Sequence, residues 1–330
     1  MRVDLDIIIV SWNVRDLLAR CLDSILAQPG ASAPVGDWVP LGAYRLRVHV
    51  VDNASGDGTC EMVAQRYPWV HLMASPTNLG FTGANNLALP HAQGRYILLL
   101  NPDTELGENA LSCMLDYMEN RPEIGVLGPR LVYGDGRPQS SRRRFPTLGM
   151  ALMESTLLEQ WFPGNRWAAR YRMEDRPDAE AQPVDWLTGA CLLTRRAVWE
   201  QIGRLDDGFF MYSEELDWCR RAAEAGWERV YLPDALVVHH EGQSSGQVVA
   251  RRHILFNASK VRYFCKHHGR LMAEFLRLFL LLGFVVQLVI EALKCALGHK
   301  RALRRDRVRA YAEVIRSGLR RPAMAHEERT

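Results

Sequence analysis

The stretch "LDIIIVSWNVRDLLARCLDSILA", residues 5–27, sets a short run rich in β-branched residues ahead of an amphipathic helical pattern, with a break at Ser11, Trp12 and Asn13. The first part reads as a buried strand and the second as a helix. The alternation continues through "RLRVHVVD" (45–52), "GTCEMVAQRY" (58–67), "VHLMAS" (70–75), "GANNLALPHA" (83–92) and "YILLLN" (96–101). Such strand–helix–strand units predict an α/β fold with a mostly parallel sheet, whose ligands lie beyond the carboxyl ends of the strands. Polar residues gather at those ends: Ser11 and Asn13, then Asp52, Asn53 and Ser55, then Asn101 and Asp103. No G-x-G-x-x-G follows the first strand, which argues against a dinucleotide-dependent oxidoreductase.

A chain of 330 residues is long enough for one large domain with an appendage. Its net charge of +3 gives no global field for nucleic acid, and no nucleic-acid partner is expected. The seven cysteines are scattered, without C-x-x-C spacing, and read as free thiols of a reducing compartment. The apolar run at the N-terminus is too short for a signal sequence, so catalysis is expected to face the cytoplasm. Residues 134–184, rich in Arg, Pro, Gly and Trp, read as a long excursion toward an acceptor, and "SSRRRFP" (140–146) offers Arg142, Arg143 and Arg144 to an acceptor diphosphate. Regular structure returns with "VDWLTGACLLTRRAVWEQIG" (184–203), read as a strand and a helix.

From Leu271 to Leu297 the chain is strongly apolar around the uncharged core "LFLLLGFVVQLVI" (278–290). That core spans about 20 Å as a helix, short of the roughly 30 Å of bilayer hydrocarbon, and basic residues flank it on both sides. A peripheral or re-entrant helix on an anionic membrane surface is expected, with a buried helix at a domain or homodimer interface as the competing reading. The domain division expected is 1–250 for the α/β domain, split into a nucleotide-sugar half (1–130) and an acceptor half (131–250). A helical membrane-associating extension with a basic tail follows over 251–330.

Four motifs carry chemistry. In "VVDNASGDGT" (50–59), Asp52 ends a strand where it could accept a hydrogen bond from a pyrimidine ring N–H. In "NLGFTGANNLAL" (78–89), Asn78 and Gly80 permit unusual backbone angles at the mouth of a helix. In "YILLLNPDTEL" (96–106), Asp103 stands past a proline at a strand end, suited to Mg²⁺ or Mn²⁺ with diphosphate oxygens, although Asn101 replaces the first acid of a D-x-D. The second protein ligand must come from downstream, and "VVHHEGQSS" (237–245) supplies His239 or His240. Finally, "FFMYSEELDWCRR" (209–221) places Glu214, Glu215 and Asp217 in a first helical turn, with Ser213 as the expected N-cap and Asp217 and Arg221 four residues apart.

In this order the motifs, with "IIIVSWNVRDLLARCLDSI" and "WLTGACLLTRRAVWEQIGRLDDGFF", resemble those of family 2 glycosyltransferases of the GT-A fold. The branch is that of rhamnosyltransferases of bacterial cell-envelope polysaccharide, and the resemblance covers roughly residues 5 to 245. It implies an inverting enzyme that uses a nucleotide sugar, dTDP-rhamnose favoured over UDP-galactose, UDP-GlcNAc or UDP-glucose, and a polyprenyl-diphosphate-linked saccharide acceptor. It places Asn13, Asp52, Asn53, Asn78, Gly80, Asn101 and Asp103 on the donor, and Asp103 with His239 on the metal, through an H-x-x-G-x-S pattern completed by Gly242 and Ser244. Glu215 aligns with the catalytic base, Glu214 being the alternative. Asp217 is grouped with the catalytic residues, although with Arg221 it matches a D-x-x-x-R whose role is structural or acceptor-orienting, and Trp186, Gly189, Ala190 and Arg221 lie toward the acceptor. A catalytically silent membrane-bound scaffold of the same fold is the competing reading of another class.

Overall fold

A computed structural model describes residues 3–154, 156–240 and 249–320. In chain order the strands are β1 (Leu5–Ser11), β2 (Val39–Leu41), β3 (Tyr44–Asp52), β4 (His71–Ala74), β5 (Tyr96–Leu100), β6 (Thr104–Leu106) and β7 (Ile124–Val132). They continue as β8 (Pro138–Gln139), β9 (Arg142–Arg143), β10 (Gln182–Pro183), β11 (Trp186–Leu187), β12 (Cys191–Arg195) and β13 (Glu228–His239). The helices are α1 (Arg15–Leu26), α2 (Thr59–Arg66), α3 (Gly80–Ala88), α4 (Ala110–Glu119), α5 (Leu148–Met153) and α6 (Leu157–Trp161). After these come α7 (Arg166–Tyr171), α8 (Arg196–Ile202), α9 (Glu214–Glu224), α10 (Val249–His268), α11 (Arg270–Ala296) and α12 (Arg301–Ser317).

β1 is apolar except for Asp6 and Ser11, and buried along its whole length, because β3 and β5 flank it in parallel. Asp6 survives in that run because its carboxylate accepts from His49 Nε2 at 2.8 Å and from the N–H groups of Gln93 and Gly94 at 2.7 and 2.6 Å. β4 adds in parallel outside β3, so the α/β half has the parallel order read from the sequence. Its register sets Ser11 level with Asp52 and Asp52 level with Ala74, which brings the polar strand ends to one edge. The small β2, antiparallel on β3, escaped the sequence reading, since three residues carry no period.

Beyond β5 the sheet is mixed. β12 runs antiparallel to both β5 and β7, with Cys191 opposite Leu100. The chain therefore enters β12 at the end of the sheet where β5 leaves it, and the preceding "WLTGA" lies beside Asn101: the Asn101 N–H donates to Ala190 O at 2.9 Å. β13 runs parallel to β7, pairs antiparallel with β6 and delivers His239 opposite Thr104. A separate two-stranded ladder, β9 with β11, sets Arg143 opposite Trp186.

The residues group into two compact units that do not follow a single cut near residue 250. One comprises Met1–Phe145, Arg172–Phe210 and Glu214–Ser244, and the other Pro146–Tyr171, Met211–Ser213 and Ser245–Thr330. The middle of the long excursion thus belongs with the C-terminal helices. Within that unit Lys260 Nζ reaches Glu154 Oε2 at 2.9 Å, and the Ser259 hydroxyl donates to Met211 O at 2.8 Å. The apolar segment forms α11, 27 residues long, twice its uncharged core, and so long and apolar enough to cross a membrane by length and composition.

Candidate active site

The ligand-facing side chains described below belong to the sheet-bearing unit. Asp52, at the end of β3, accepts the Ser55 N–H on Oδ2 at 3.0 Å, while its Oδ1 is buried without a hydrogen-bond partner, as is the Ser11 hydroxyl beside it in register. A buried carboxylate oxygen left in this way marks a place where a ligand donor fits. The Cys60 thiol stands by the same carboxylate and is pushed up to about 11, first by burial and then by that charge. Asn13, left-handed at φ 52°, braces the loop: its N–H donates to Ser55 Oγ at 2.9 Å, and its Oδ1 accepts the Gly56 N–H at 2.8 Å.

Asn53 and Asn78 are committed to each other. Asn53 Nδ2 donates to Asn78 Oδ1 (3.0 Å) and Gly80 O (3.1 Å), its Oδ1 accepts the Leu79 N–H (2.7 Å), and Asn78 Oδ1 also accepts the Gly80 N–H (2.9 Å). Their side chains shape the loop, and both Nδ2 protons of Asn53 are spent there, which leaves only its amide oxygen able to take a further hydrogen bond. Gly80 has φ +72°, and a Cβ there would stand 2.3 Å from Phe210 O, which accepts the Phe81 N–H at 2.9 Å. Only glycine permits that approach, which ties the mouth of α3 to the segment leading into α9.

At the end of β5, Asp103 Oδ1 lies 3.3 Å from His239 Nε2, and Asn101 Nδ2 lies 3.5 Å from the same nitrogen. His239 Nδ1 meets Gln139 Oε1 at 2.9 Å. An amide oxygen only accepts, so Nδ1 carries the proton and Nε2 turns its lone pair toward the carboxylate. With Nε2 unprotonated, a cation would fit between the two electron-rich atoms. Cis ligands about 2.1 Å from an octahedral ion stand about 3 Å apart, so the pair fits a Mg²⁺- or Mn²⁺-sized ion. Among the described residues no three His, Cys, Asp or Glu side chains converge, so the other ligands would come from substrate and water. His240 turns away to Glu105 Oε1 at 2.8 Å, which makes His239 the ligand of the two. Gly242 and Ser244 lie outside the described residues.

At α9 the two adjacent glutamates differ. Glu214 is 3% exposed, its Oε2 has no partner, and its acid is raised well above the ordinary range, by burial first and by Glu215 second. Glu215 is half-buried, and burial raises it too. The N–H groups of Glu215 itself, Gly189 and Leu216, and the charge of Arg143, oppose that rise. Both acids are raised, Glu214 the further, and Glu215 has more groups that favour its carboxylate form. A Cβ on Gly189 would sit 3.7 Å from the Glu215 side chain, so the loop packs directly on it, and Ala190 carries the same loop onto Asn101. Gly189 and Ala190 thus link the Glu215 side chain to Asn101, two residues before Asp103.

Three expectations are corrected. Ser213 has φ 65° and Tyr212 φ 70°, left-handed where an N-cap is extended, so Ser213 does not cap α9. Asp217 is fully buried and takes Arg221 Nε at 3.0 Å, while Arg221 donates to the carbonyls of Ile202 (2.7 Å) and Arg204 (2.8 Å); both residues serve the structure by fastening α9 to the end of α8. Of the three arginines, Arg142 is held by Pro177 O and Arg176 O, and Arg144 grips Asp175 through both nitrogens at 2.8 Å. Arg143 donates to the Ser140 hydroxyl, stands 5.9 Å from the Trp186 ring, and is the one whose charge acts on Glu215. Trp186 itself donates to Arg144 O at 3.0 Å and is nearly buried, a wall to that ladder. Gln139 and the partnerless Thr188 hydroxyl were not singled out from sequence, since neither stands in a periodic or spaced pattern.

Comparison with known proteins agrees with this geometry. The chain is 36% identical over 213 residues to the N-acetylglucosaminyl-diphospho-decaprenol L-rhamnosyltransferase of Mycobacterium tuberculosis, covering 61% of this chain and 69% of that protein. It is 25% identical over 259 residues to the rhamnosyltransferase WbbL of Escherichia coli K12, covering 75% and 89% of the two chains. Among solved structures, the mannosyltransferase PcManGT of Pyrobaculum calidifontis, in complex with GDP-Man and Mn²⁺, superposes with a TM-score of 0.54 at 18% identity, over 96% of this chain and 86% of that one. The fold is the GT-A fold. The profile of glycosyl transferase family 2 matches residues 6–203, and the chain, a glycosyltransferase, belongs to that family.

Proposed function

We propose that the protein transfers L-rhamnose from dTDP-rhamnose, with inversion, to a polyprenyl-diphosphate-linked saccharide at the cytoplasmic face of the membrane. The observation that carries the reading is that the Gly189–Ala190 loop packs on Glu215 at one side and bonds Asn101, beside the Asp103–His239 pair, at the other. The likeness to rhamnosyltransferases, one of them named for a lipid-linked GlcNAc diphosphate, supports the sugar and the acceptor class.

Inversion at C1 needs a base on the acceptor side and charge stabilisation on the opposite, leaving-group side. Glu215 takes the proton of the acceptor hydroxyl; the Gly189 N–H and Arg143 oppose the rise that burial imposes on it. Glu214, uncharged, leaves the entry to α9 free of a second negative charge. Asp52 Oδ1 accepts the ring N–H of the pyrimidine base, and Asn13 holds the loop that carries it. Asp103 and His239 would hold Mg²⁺ or Mn²⁺, which neutralises the departing diphosphate. His239 is kept in the ligating tautomer by Gln139.

The test is a panel of dTDP-rhamnose and UDP-hexoses with a short lipid-diphosphate GlcNAc acceptor, following nucleotide release with and without divalent cation. Release from dTDP-rhamnose alone, dependent on acceptor and metal, is expected. Release from a UDP-hexose would move the donor assignment, and no release from any donor would return the silent-scaffold reading.

A further inference from the structure

α11 has one face inside its unit and one face open. Leu276, Leu280 and Phe284 are buried, the last within 5.7 Å of the Tyr311 ring of α12 and 5.8 Å of the His253 ring of α10. On the other face Leu271, Phe275, Leu278, Leu282, Val285 and Val289 follow one another at intervals of four, three, four, three and four residues, and all are exposed, Leu282 by 61% and Leu278 by 58%. An apolar stripe of this length on a folded surface marks a contact with something apolar. Both ends of the stripe are basic: Lys266 and Arg270 precede it, and Lys294, Lys300, Arg301 and Arg305 follow. The acid within reach of the stripe, Glu274, is held by Arg277 at 2.6 Å, and Glu291 is held by Arg304.

The spacing also suits a coiled-coil seam with a second copy. The charges decide against that occupant, because like-charged ends would meet whether two copies packed parallel or antiparallel. They favour a surface that offers hydrocarbon between anionic headgroups. A second feature of the same unit agrees: Trp161, Phe162 and Trp167 are exposed, and such aromatics settle at the boundary between hydrocarbon and water.

Length alone would allow α11 to span a bilayer, but its packing argues otherwise. α12 runs back along it, from the Arg304–Glu291 pair near one end to the Arg277 Nη1–Gly318 O bond (3.1 Å) nearer the other. The exposed Arg305, Asp306, Arg309 and Glu313 of α12 would have to enter hydrocarbon with it. We infer that α11 lies in the plane of an anionic membrane surface, its open stripe sunk among the acyl chains while α10 and α12 stay packed on its other face. The inference stands on the helix alone and does not depend on which sugar is transferred.

The full-length protein should sediment with vesicles of phosphatidylcholine and phosphatidylglycerol, and at least about fivefold less with phosphatidylcholine alone. The variant Leu278→Ser/Leu282→Ser/Val285→Ser should lose at least about tenfold in vesicle affinity, with circular dichroism and melting temperature unchanged because the positions are exposed. Lys300→Glu/Arg305→Glu should weaken binding to the anionic vesicles only. From cell membranes, high salt with alkaline carbonate should release the protein. Equal binding by the triple-serine variant would overturn the inference. So would a dimer in the absence of lipid that this variant converts to monomer, and release by detergent alone would replace the in-plane helix with a span.

Discussion

On the donor side, between the end of β3 and the mouth of α3, polar atoms satisfy one another: Asn53 meets Asn78 and Gly80, and Asn13 meets Ser55 and Gly56. At the start of α9 two carboxylates stand side by side, each with an oxygen that has no partner, behind two consecutive left-handed residues, Tyr212 and Ser213. In the proposed reading these are the donor loops, braced by their own hydrogen bonds, with one unpartnered oxygen on Asp52 for recognition. The base is built to be unsettled, since a group that must take up a proton cannot be fully satisfied before the acceptor arrives.

The sharpest way to break this contrast is Glu215→Gln, which keeps the shape and removes the proton acceptor. Turnover should fall by roughly 10³-fold or more with the donor KM nearly unchanged. If Glu214→Gln produces that loss instead, the roles of the two are exchanged. On the other side, Asp103→Ala or His239→Ala should cost roughly 10²-fold in turnover and raise the divalent cation concentration needed for half-maximal rate. Metal titration by calorimetry in the presence of dTDP checks the same point without relying on turnover.

These effects attach to residues that differ in how plainly the sequence announces them. The parallel strands were legible because β1, β3 and β5 carry buried apolar runs separated by helical periods, β1 and β3 ending in Ser11 and Asp52 and β5 followed by Asn101. Asp103 and His239 could be named because each follows an apolar strand. The partner that orients His239 could not, because Gln139 lies 100 positions away in a two-residue strand with no pattern. Ser213 misled for a local reason: a serine before an acidic turn has the composition of an N-cap, and only the backbone, at φ 65°, shows that it is not one. The three arginines of 142–144 are equivalent as letters, and differ only through Pro177, Asp175 and Trp186, which the fold brings to them.

Arg143 offers an intermediate test. Its charge lowers Glu215, so Arg143→Met should raise the base and shift the acid limb of the kcat/KM profile to higher pH, with about a tenfold loss at pH values where the native base is already ionised only in part. Arg143→Lys should restore most of the profile. A uniform loss at every pH, with no shift of the limb, would instead assign Arg143 to packing on Trp186.

The smallest expected effect is on Glu214, and it concerns stability. Its acid is raised well above the ordinary value of 4.5 in the folded protein, so the folded state holds a proton that the unfolded chain releases. Between those two values the folded state binds more protons than the unfolded one, and stability falls as pH rises through that window. The contribution is intact below the ordinary glutamate value and gone once pH exceeds the folded one. Glu214→Gln keeps a neutral group of the same size and removes that dependence. The variant should match the native protein at acid pH, exceed it at neutral pH by on the order of 1 kcal/mol, and keep its transferase activity within a few-fold. Urea unfolding at several pH values measures the difference. A variant less stable than the native protein at neutral pH would mean that Glu214 is held as a carboxylate, and the contrast between the two glutamates would then have to be drawn the other way.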